Sequence, residues 1–450
     1  MTPARSRRWP AAALAAVVAF GLGGRESQDR VDPGRHVVLV IVDTLRADHV
    51  GVSGRAKRDA TPNLDRLARR GAWFVDAHSA APWTPPSVRS ILTGLDPAVH
   101  GLDRDAADYA REVPGLPERA LTLAQLLGRA GWRTAAVTGG GGVERVYGFD
   151  RGFETWFQAE HATGVDVAGG VDRALAWLDG LGKADRGFLL LHTYEVHLPN
   201  THHLFAAEEA GDERVRASAA YDGDLAFADR ELGRFFDGLE SRGLLGRSLV
   251  VLTSDHGEDL FERDVPGHEV DHGHHLHGEL THVPLFFTAP GLVPARGAVA
   301  GTVSLLDVVP TVLSLVGVAP PPFPLQGRDL RRVLQGLEQP DPDRAVFAGG
   351  LLQGPGWKSV RTARAMLFVA PPTRGDEWWH DVRIPAEASY DLRRNPAEVD
   401  GGASAPPAEE ARLRRRLDDR RREDARLRAI LGEGPPGPGA ASLRALGYLR

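Results

Sequence analysis

His36-Val-Val-Leu-Val-Ile-Val42 runs straight into Asp43, and Ser248-Leu-Val-Val-Leu-Thr253 runs into Ser254-Asp255-His256. Each is a short β-branched apolar run with polar flanks, which reads as a buried parallel strand. In open α/β sheets the ligand crevice lies beyond the carboxyl ends of the strands. Two carboxylates and an imidazole are therefore delivered to one sheet edge. Carboxylate oxygens with one imidazole suit a single divalent ion, Mg, Mn, Ca or Zn, rather than a soft metal. A lone aspartate after a strand also serves as a helix N-cap, but two such strand ends beside a hydroxyl-bearing loop favour the metal.

That loop is Ala81-Pro-Trp-Thr-Pro-Pro-Ser-Val-Arg89, which presents Thr84 ahead of two prolines. Thr84 reads as the cap of a helix through Ser87 to Thr93, with Pro85 at its first position. A hydroxyl there lies where backbone N–H groups and the helix dipole stabilise anions. Metal coordination would lower its pKa and permit in-line attack on tetrahedral phosphorus or sulfur. The residues point to attack on a phosphate or sulfate ester.

Away from these segments, strand-like runs alternate with amphipathic ones, implying an α/β fold built on a doubly wound, mostly parallel sheet. Helices are expected over 62–70, 121–130, 217–239 and 306–316, where Pro310 should kink the last or mark its true start. Further strands are expected over 134–137, 188–191 and 284–288. Beyond about residue 340 the pattern changes to short strands, 345–352, 359–362 and 365–370, which suggest a small C-terminal antiparallel subdomain. A charged helix follows over 408–431, then a Pro/Gly linker from Gly432 to Gly439. Acidic residues from Glu409 to Asp424 intersperse its arginines, so it reads as a solvated packing helix. The expected division is 1–24 as signal peptide, 35–335 as catalytic domain and 340–450 as C-terminal subdomain.

The 450 residues carry a formal net charge of −6, which argues against a nucleic-acid partner, because phosphate-backbone binding needs a basic face. The absence of cysteine excludes disulfides, thiolate ligands, a cysteine nucleophile and a lipoprotein anchor. Arg5, Arg7 and Arg8 precede an apolar stretch from Pro10 to Leu22 and then Gly23-Gly24. This is the order of an export signal, and it falls short of the roughly 20 apolar residues of a membrane span. An exported protein, periplasmic or extracellular, with no stable membrane span after signal cleavage is expected.

Histidine is concentrated at positions 268, 272, 274, 275, 277 and 282. A surface or adventitious metal-binding tract accounts for most of these, leaving one or two functional positions. His272, in Asp271-His-Gly-His274, is the one selected. His197, after the 188–191 strand, is a candidate for holding the transferred group or protonating the leaving oxygen; its alternative is a structural role.

Together these segments resemble the sulfatase family of the alkaline phosphatase superfamily, from about Arg35 to the end of the chain. The likeness is carried by Val38-Leu-Val-Ile-Val-Asp-Thr-Leu-Arg-Ala-Asp48, Thr61-Pro-Asn-Leu-Asp-Arg-Leu67, Thr84 to Leu95 with its Leu92-Thr-Gly94, Gly148-Phe-Asp-Arg-Gly152, Thr253 to Glu258, and Tyr390-Asp-Leu392. It implies an alkaline-phosphatase-like fold, a divalent metal on Asp43, Asp255 and His256, the nucleophile at Thr84, and His197 and His272 against the transferred group. Ordinary members carry cysteine or serine at the nucleophile position, matured to formylglycine, with an arginine four places on. Here Val88 takes that place and Arg89 follows one residue late. Thr44 replaces a second aspartate, and Thr138-Gly-Gly-Gly-Gly142 replaces a Gly-Lys-Trp-His segment. Threonine cannot become that aldehyde, so the resemblance implies the superfamily's threonine-nucleophile chemistry, which handles phosphorus.

The expected function is a metal-dependent hydrolase of sulfate or phosphate esters, on a small-molecule or glycan substrate. It would act through a covalent intermediate on Thr84, whose oxygen is also a metal ligand. Two alternatives stay open: an exported phosphotransferase using the same intermediate, and a noncatalytic anion-binding relative.

Overall fold

Strand β1 (His36–Val42) is buried along its whole length. Its alternate side chains enter two different cores, Val37, Leu39 and Ile41 one of them, Val38, Val40 and Val42 the other. Successive strand residues point to opposite faces, so a strand apolar at every position must be covered on both. The computed structural model describes residues 34–103, 113–159, 167–205, 212–263, 270–352, 356–370 and 387–435. The expected signal peptide, His268 and the chain beyond 435 lie outside the described residues.

The strands that follow are β2 (Ala72–His78), β3 (Arg133–Thr138), β4 (Thr155–Gln158), β5 (Gly187–Thr193), β6 (Ser248–Thr253), β7 (Asp259–Leu260), β8 (Val270–Asp271), β9 (Leu285–Thr288) and β10 (Gly297–Ser304). Seven of them join β1 in one sheet in the order β10-β2-β9-β6-β1-β5-β3-β4. Neighbours are parallel except where β9 pairs with β2 and β6. The principal helices are α1 (Pro62–Arg69), α2 (Thr84–Thr93), α3 (Leu123–Arg129), α4 (Val167–Asp179), α5 (Glu213–Ser241), α6 (Val308–Val316) and α7 (Pro407–Leu431). Apolar faces of α2, α3 and α6 fill the first core, and those of α1, α4 and α5 the second. The result is the expected doubly wound, mostly parallel arrangement.

Elements β2, β4, β10 and α4 go beyond the sequence reading. Glycines explain two of them: Gly297 and Gly301 interrupt β10, and Gly169 and Gly170 sit in the first turns of α4, where each lowers the local propensity on which the pattern depends.

The C-terminal strands β11 (Val346–Ala348), β12 (Lys358–Arg361), β13 (Ala365–Val369) and β14 (Glu387–Asp391) form an antiparallel sheet in sequence order. Period-two alternation divides its faces. Val360, Ala365 and Leu367 meet Leu413 and Leu417 of α7, while Met366, Phe368 and Tyr390 meet Leu276 from the histidine-rich segment. Leu427 and Leu431, further along the same helix, enter the first core. Helix α7 is thus a packing helix. Its buried Arg420 contacts Asp96 and Asp424, each at 3.1 Å, and lies 5.1 Å over the Phe347 ring.

Candidate active site

Register explains how distant residues meet. Ile41 of β1 stands opposite Thr253 of β6 on one side and His192 of β5 on the other. All three strands therefore end at one level, and Asp43, Asp255, His256 and His192 share one sheet edge. Asp43 is followed by Thr44 in the left-handed region, φ 57°, a conformation that a β-branched residue adopts only where its surroundings enforce it. The Thr44 hydroxyl donates to Asp43 O at 2.7 Å, and its N–H donates to Asp255 Oδ1 at 3.3 Å.

Each aspartate has one oxygen committed to protein and one left over. Asp255 Oδ1 accepts from the N–H groups of Thr44 and His256. Asp43 Oδ2 accepts from the Thr84 hydroxyl and contacts His192 Nε2, both at 3.3 Å. Asp43 Oδ1 and Asp255 Oδ2 are buried without a hydrogen-bond partner, and each lies 3.6 Å from His256 Nε2. His256 Nδ1 faces the Gly257 carbonyl at 2.8 Å. A carbonyl only accepts, so the proton sits on Nδ1 and the Nε2 lone pair turns to the two orphaned oxygens. Burial, reinforced by neighbouring His272, holds His256 down at about 3, and burial pushes Asp255 up. Two unpartnered carboxylate oxygens and an imidazole lone pair converging in a buried pocket fit a divalent cation, which would relieve the desolvation of both carboxylates.

Thr84 is fully buried, with Oγ1 3.1 Å from His256 Nε2 and 3.3 Å from Asp43 Oδ2. Its expected role as a helix cap is corrected: α2 begins at Thr84 itself, and Trp83 is the N-cap, without a side-chain cap bond. With Thr84 in the first turn, its hydroxyl is directed to the two site residues instead. The prolines cost little there, since first-turn N–H groups have no intrahelical partner.

His272 stands beside this group, its ring 4.5 Å from that of His256 and 4.9 Å from that of His197. Its Nδ1 contacts Glu258 Oε1 at 3.0 Å. Burial opposes its charge, but Glu258 and Asp271 outweigh it and raise His272 to about 9. Burial raises Glu258 too, so the pair retains a proton at neutral pH. His197 differs: Nδ1 donates to Leu198 O, Nε2 meets the Tyr194 hydroxyl at 2.8 Å, and burial followed by the His272 charge hold it near 3. Tyr194 packs over the Gly139–Gly142 segment, where a Cβ on Gly141 would overlap its ring.

The structure brings Asp43, Thr84, Asp255, His256, His272 and His197 together. It adds His192, Tyr194 and Glu258, to which the sequence reading gave no role. The reading of the histidine tract as mostly surface is overturned: His272, His274, His275 and His277 are all buried, His277 against Phe368 and Tyr390 of the C-terminal sheet and His272 against His197 and His256. Arg89 is absent from the site. It donates to the carbonyls of His100, Pro114 and Tyr147.

The sulfatase family model matches residues 35–318. The chain belongs to the sulfatase family. Within that family it is 27% identical to N-acetylgalactosamine-6-sulfatase of Sus scrofa over 332 residues, 64% of this chain and 63% of that protein. It therefore spans less than two thirds of that relative's length. It is 25% identical to arylsulfatase A of Homo sapiens over 453 residues, covering 83% and 85% of the two chains. Among solved structures, phosphonate monoester hydrolase of Silicibacter pomeroyi superposes with a TM-score of 0.66 at 20% identity, over 87% of this chain and 95% of that one. A protein solved with its substrate D-glucosamine-2-N,6-O-disulfate gives 0.67 at 17% identity, over 89% and 98%. The fold is the alkaline-phosphatase-like fold of these solved structures.

Proposed function

We propose that this protein is a metal-dependent hydrolase of sulfate or phosphate esters that acts through a covalent intermediate on Thr84. The observation that carries the reading is the position of the buried Thr84 hydroxyl, 3.1 Å from His256 Nε2 and 3.3 Å from Asp43 Oδ2, in a site where Asp43 Oδ1 and Asp255 Oδ2 have no hydrogen-bond partner. Asp43, Asp255 and His256, with the Thr84 oxygen, would hold one divalent ion, whose charge lowers the hydroxyl's pKa and stabilises developing negative charge.

In the proposed reaction Thr84 passes its proton by way of Asp43 Oδ2, to which it already donates, to solvent, and its Oγ forms a bond to phosphorus or sulfur while the ester oxygen departs in line. The departing oxygen takes a proton from His272, the imidazole best supplied with one. Water then cleaves the Thr84 ester, its hydroxide bonding to phosphorus or sulfur and its proton going to the His272–Glu258 pair, while the departing Thr84 oxygen takes back a proton from solvent. His192 orients the Asp43 carboxylate, and His197, accepting from the Tyr194 hydroxyl, fixes that ring over the Gly139–Gly142 segment. The relatives named as sulfatases and the structure containing a disulfated glucosamine favour an anionic ester of a sugar or small alcohol. The segment beyond about residue 340 serves as a C-terminal scaffold. Export rests on residues 1–24, and sequencing the mature N-terminus tests it.

The test is a panel of aryl sulfate, phosphate monoester, phosphate diester and phosphonate substrates against Mg, Mn, Ca and Zn, with wild type and Thr84→Ala. Turnover by wild type alone supports the assignment, and turnover by both variants removes Thr84 as nucleophile. Metal binding without turnover anywhere on the panel indicates an anion-binding relative. Product transfer to an added alcohol distinguishes a phosphotransferase.

A further inference from the structure

A second cluster of ligand-type side chains lies along the chain from the active centre. Strands β7 and β8 form a two-stranded ribbon in which Asp259 pairs with Asp271, and the chain then runs through the histidines. Asp259, His275 and His277 are wholly buried, and His274 is 5% exposed. Asp259 Oδ1 accepts from the N–H of Glu262 at 2.7 Å, which fixes the carboxylate. Its Oδ2 faces His275 Nε2 at 3.2 Å and His274 Nε2 at 3.8 Å. Ligand atoms tetrahedrally placed around one zinc ion lie roughly 3.4 Å apart, and these two distances bracket that value.

An independent observation comes from His277. The Tyr390 hydroxyl gives its proton to Asp400 Oδ1 at 2.6 Å, so His277 Nε2, 3.1 Å from that hydroxyl, must be the donor between them. His277 Nδ1 then carries a bare lone pair, and it is buried with no hydrogen-bond partner. Ligand atoms of His275, His277 and Glu279 lie within 4.8 Å of one another, as do those of Asp259, His274 and His275. Glu279 lies 3.7 Å from His275 Nε2 but is engaged by Arg263, so Asp259, at 3.2 Å from the same nitrogen, is the carboxylate nearer the imidazoles. One free carboxylate among several imidazoles suits a borderline transition metal, whereas calcium and magnesium require an oxygen-rich shell.

We propose that Asp259, His274 and His275 form a second, structural site for a divalent transition metal such as zinc, with its fourth position open to His277 or Glu279. The site is separate from the Thr84 centre and would stand if that reading failed. Its consequence is mechanical. Asp259 adjoins Glu258, and His274 lies two residues from His272, so a metal here fastens together the two segments that form the His272–Glu258 pair. Coordination through His275 Nε2 requires the proton on Nδ1, so the 3.3 Å contact from the His277 N–H to that nitrogen must lengthen on loading. The rival is an imidazole–carboxylate hydrogen bond with no metal.

The test uses full-length protein equilibrated with stoichiometric zinc and dialysed, with metal counted by plasma mass spectrometry. D43N/D255N, which disables the Thr84 centre, should retain one zinc per chain, and H274Q/H275Q should lose that zinc while wild type keeps it. Anomalous scattering at the zinc edge from wild-type crystals should show a peak between Asp259 Oδ2 and the two imidazole nitrogens, a readout that does not depend on either variant folding. A metal-free D43N/D255N protein, or no anomalous peak at this position, overturns the proposal, and zinc appearing there only in large excess means an adventitious ion only.

Discussion

Replacing Arg89 by methionine separates two uses of an arginine that stands one place beyond the family's usual position. In this structure the buried guanidinium donates to Pro114 O at 2.9 Å, to Tyr147 O at 3.0 Å and, more weakly, to His100 O at 3.4 Å, and it sits 5.8 Å over the Phe149 ring. Two well-formed charge-assisted hydrogen bonds are worth roughly 1.5–3 kcal/mol each, and the ring contact about 0.5–1 kcal/mol. Desolvation of the guanidinium offsets part of this, but truncation also strands buried carbonyls, so the expected net loss is about 3–5 kcal/mol. For a chain of this size, at about 2.1 cal/mol/K of unfolding entropy per residue, that corresponds to roughly 3–5 °C in Tm. Thermal and urea unfolding would measure the loss, and kcat/KM would be taken well below the transition. R89M should unfold earlier and keep kcat/KM within about threefold of wild type, a change too small for a lost transition-state contact. Unchanged stability with activity down by a hundredfold or more would place Arg89 against the substrate and refute this reasoning.

Glu258→Gln should lower the titration midpoint of His272, followed by histidine NMR in the metal-free protein, from about 9 toward the ordinary range; equal midpoints would contradict the pairing. The sign follows from linkage: the raised pKa stabilises the fold fully below about 6.5, and that contribution disappears as pH rises through about 9. His192→Asn should weaken metal affinity by about 10–100-fold, as loss of a group that orients a ligand does, with the fold intact by circular dichroism. Unchanged affinity would remove His192 from the site. Arg420→Ala leaves Asp96 and Asp424 without their buried cation and should cost about 3–5 kcal/mol, read as an earlier unfolding transition; a loss below about 1 kcal/mol would show that the helix-to-core ion cluster is weak.

Asp43, Asp255 and His256 were legible because each follows an apolar run that ends in polar residues, and such runs terminate at the ligand-binding edge of a parallel sheet. His192 obeys the same geometry but stayed hidden. Its own run, Gly187-Phe-Leu-Leu-Leu-His-Thr193, gives no sign that β5 lies beside β1, since strand order is a property of the tertiary fold. The histidine tract misled for a related reason: Phe368 and Tyr390, which cover His277, come from strands near the far end of the chain, and His272 is covered by His197 and His256 from distant segments. Thr84 was found through its hydroxyl and its two prolines, while the one-residue shift in helix start is of the size by which helix boundaries commonly move. The mostly parallel sheet, the antiparallel subdomain and the packing role of α7 followed from periodicity and charge pattern.

The most direct measurement is a rapid acid quench of the metal-loaded protein during turnover of a phosphate or sulfate ester, followed by peptide mass spectrometry. The account predicts a phosphoryl or sulfuryl group on Thr84, appearing within the first turnover and absent from Thr84→Ala. Sustained turnover with Thr84 unmodified at every quench time, or a group trapped on another residue, would contradict it.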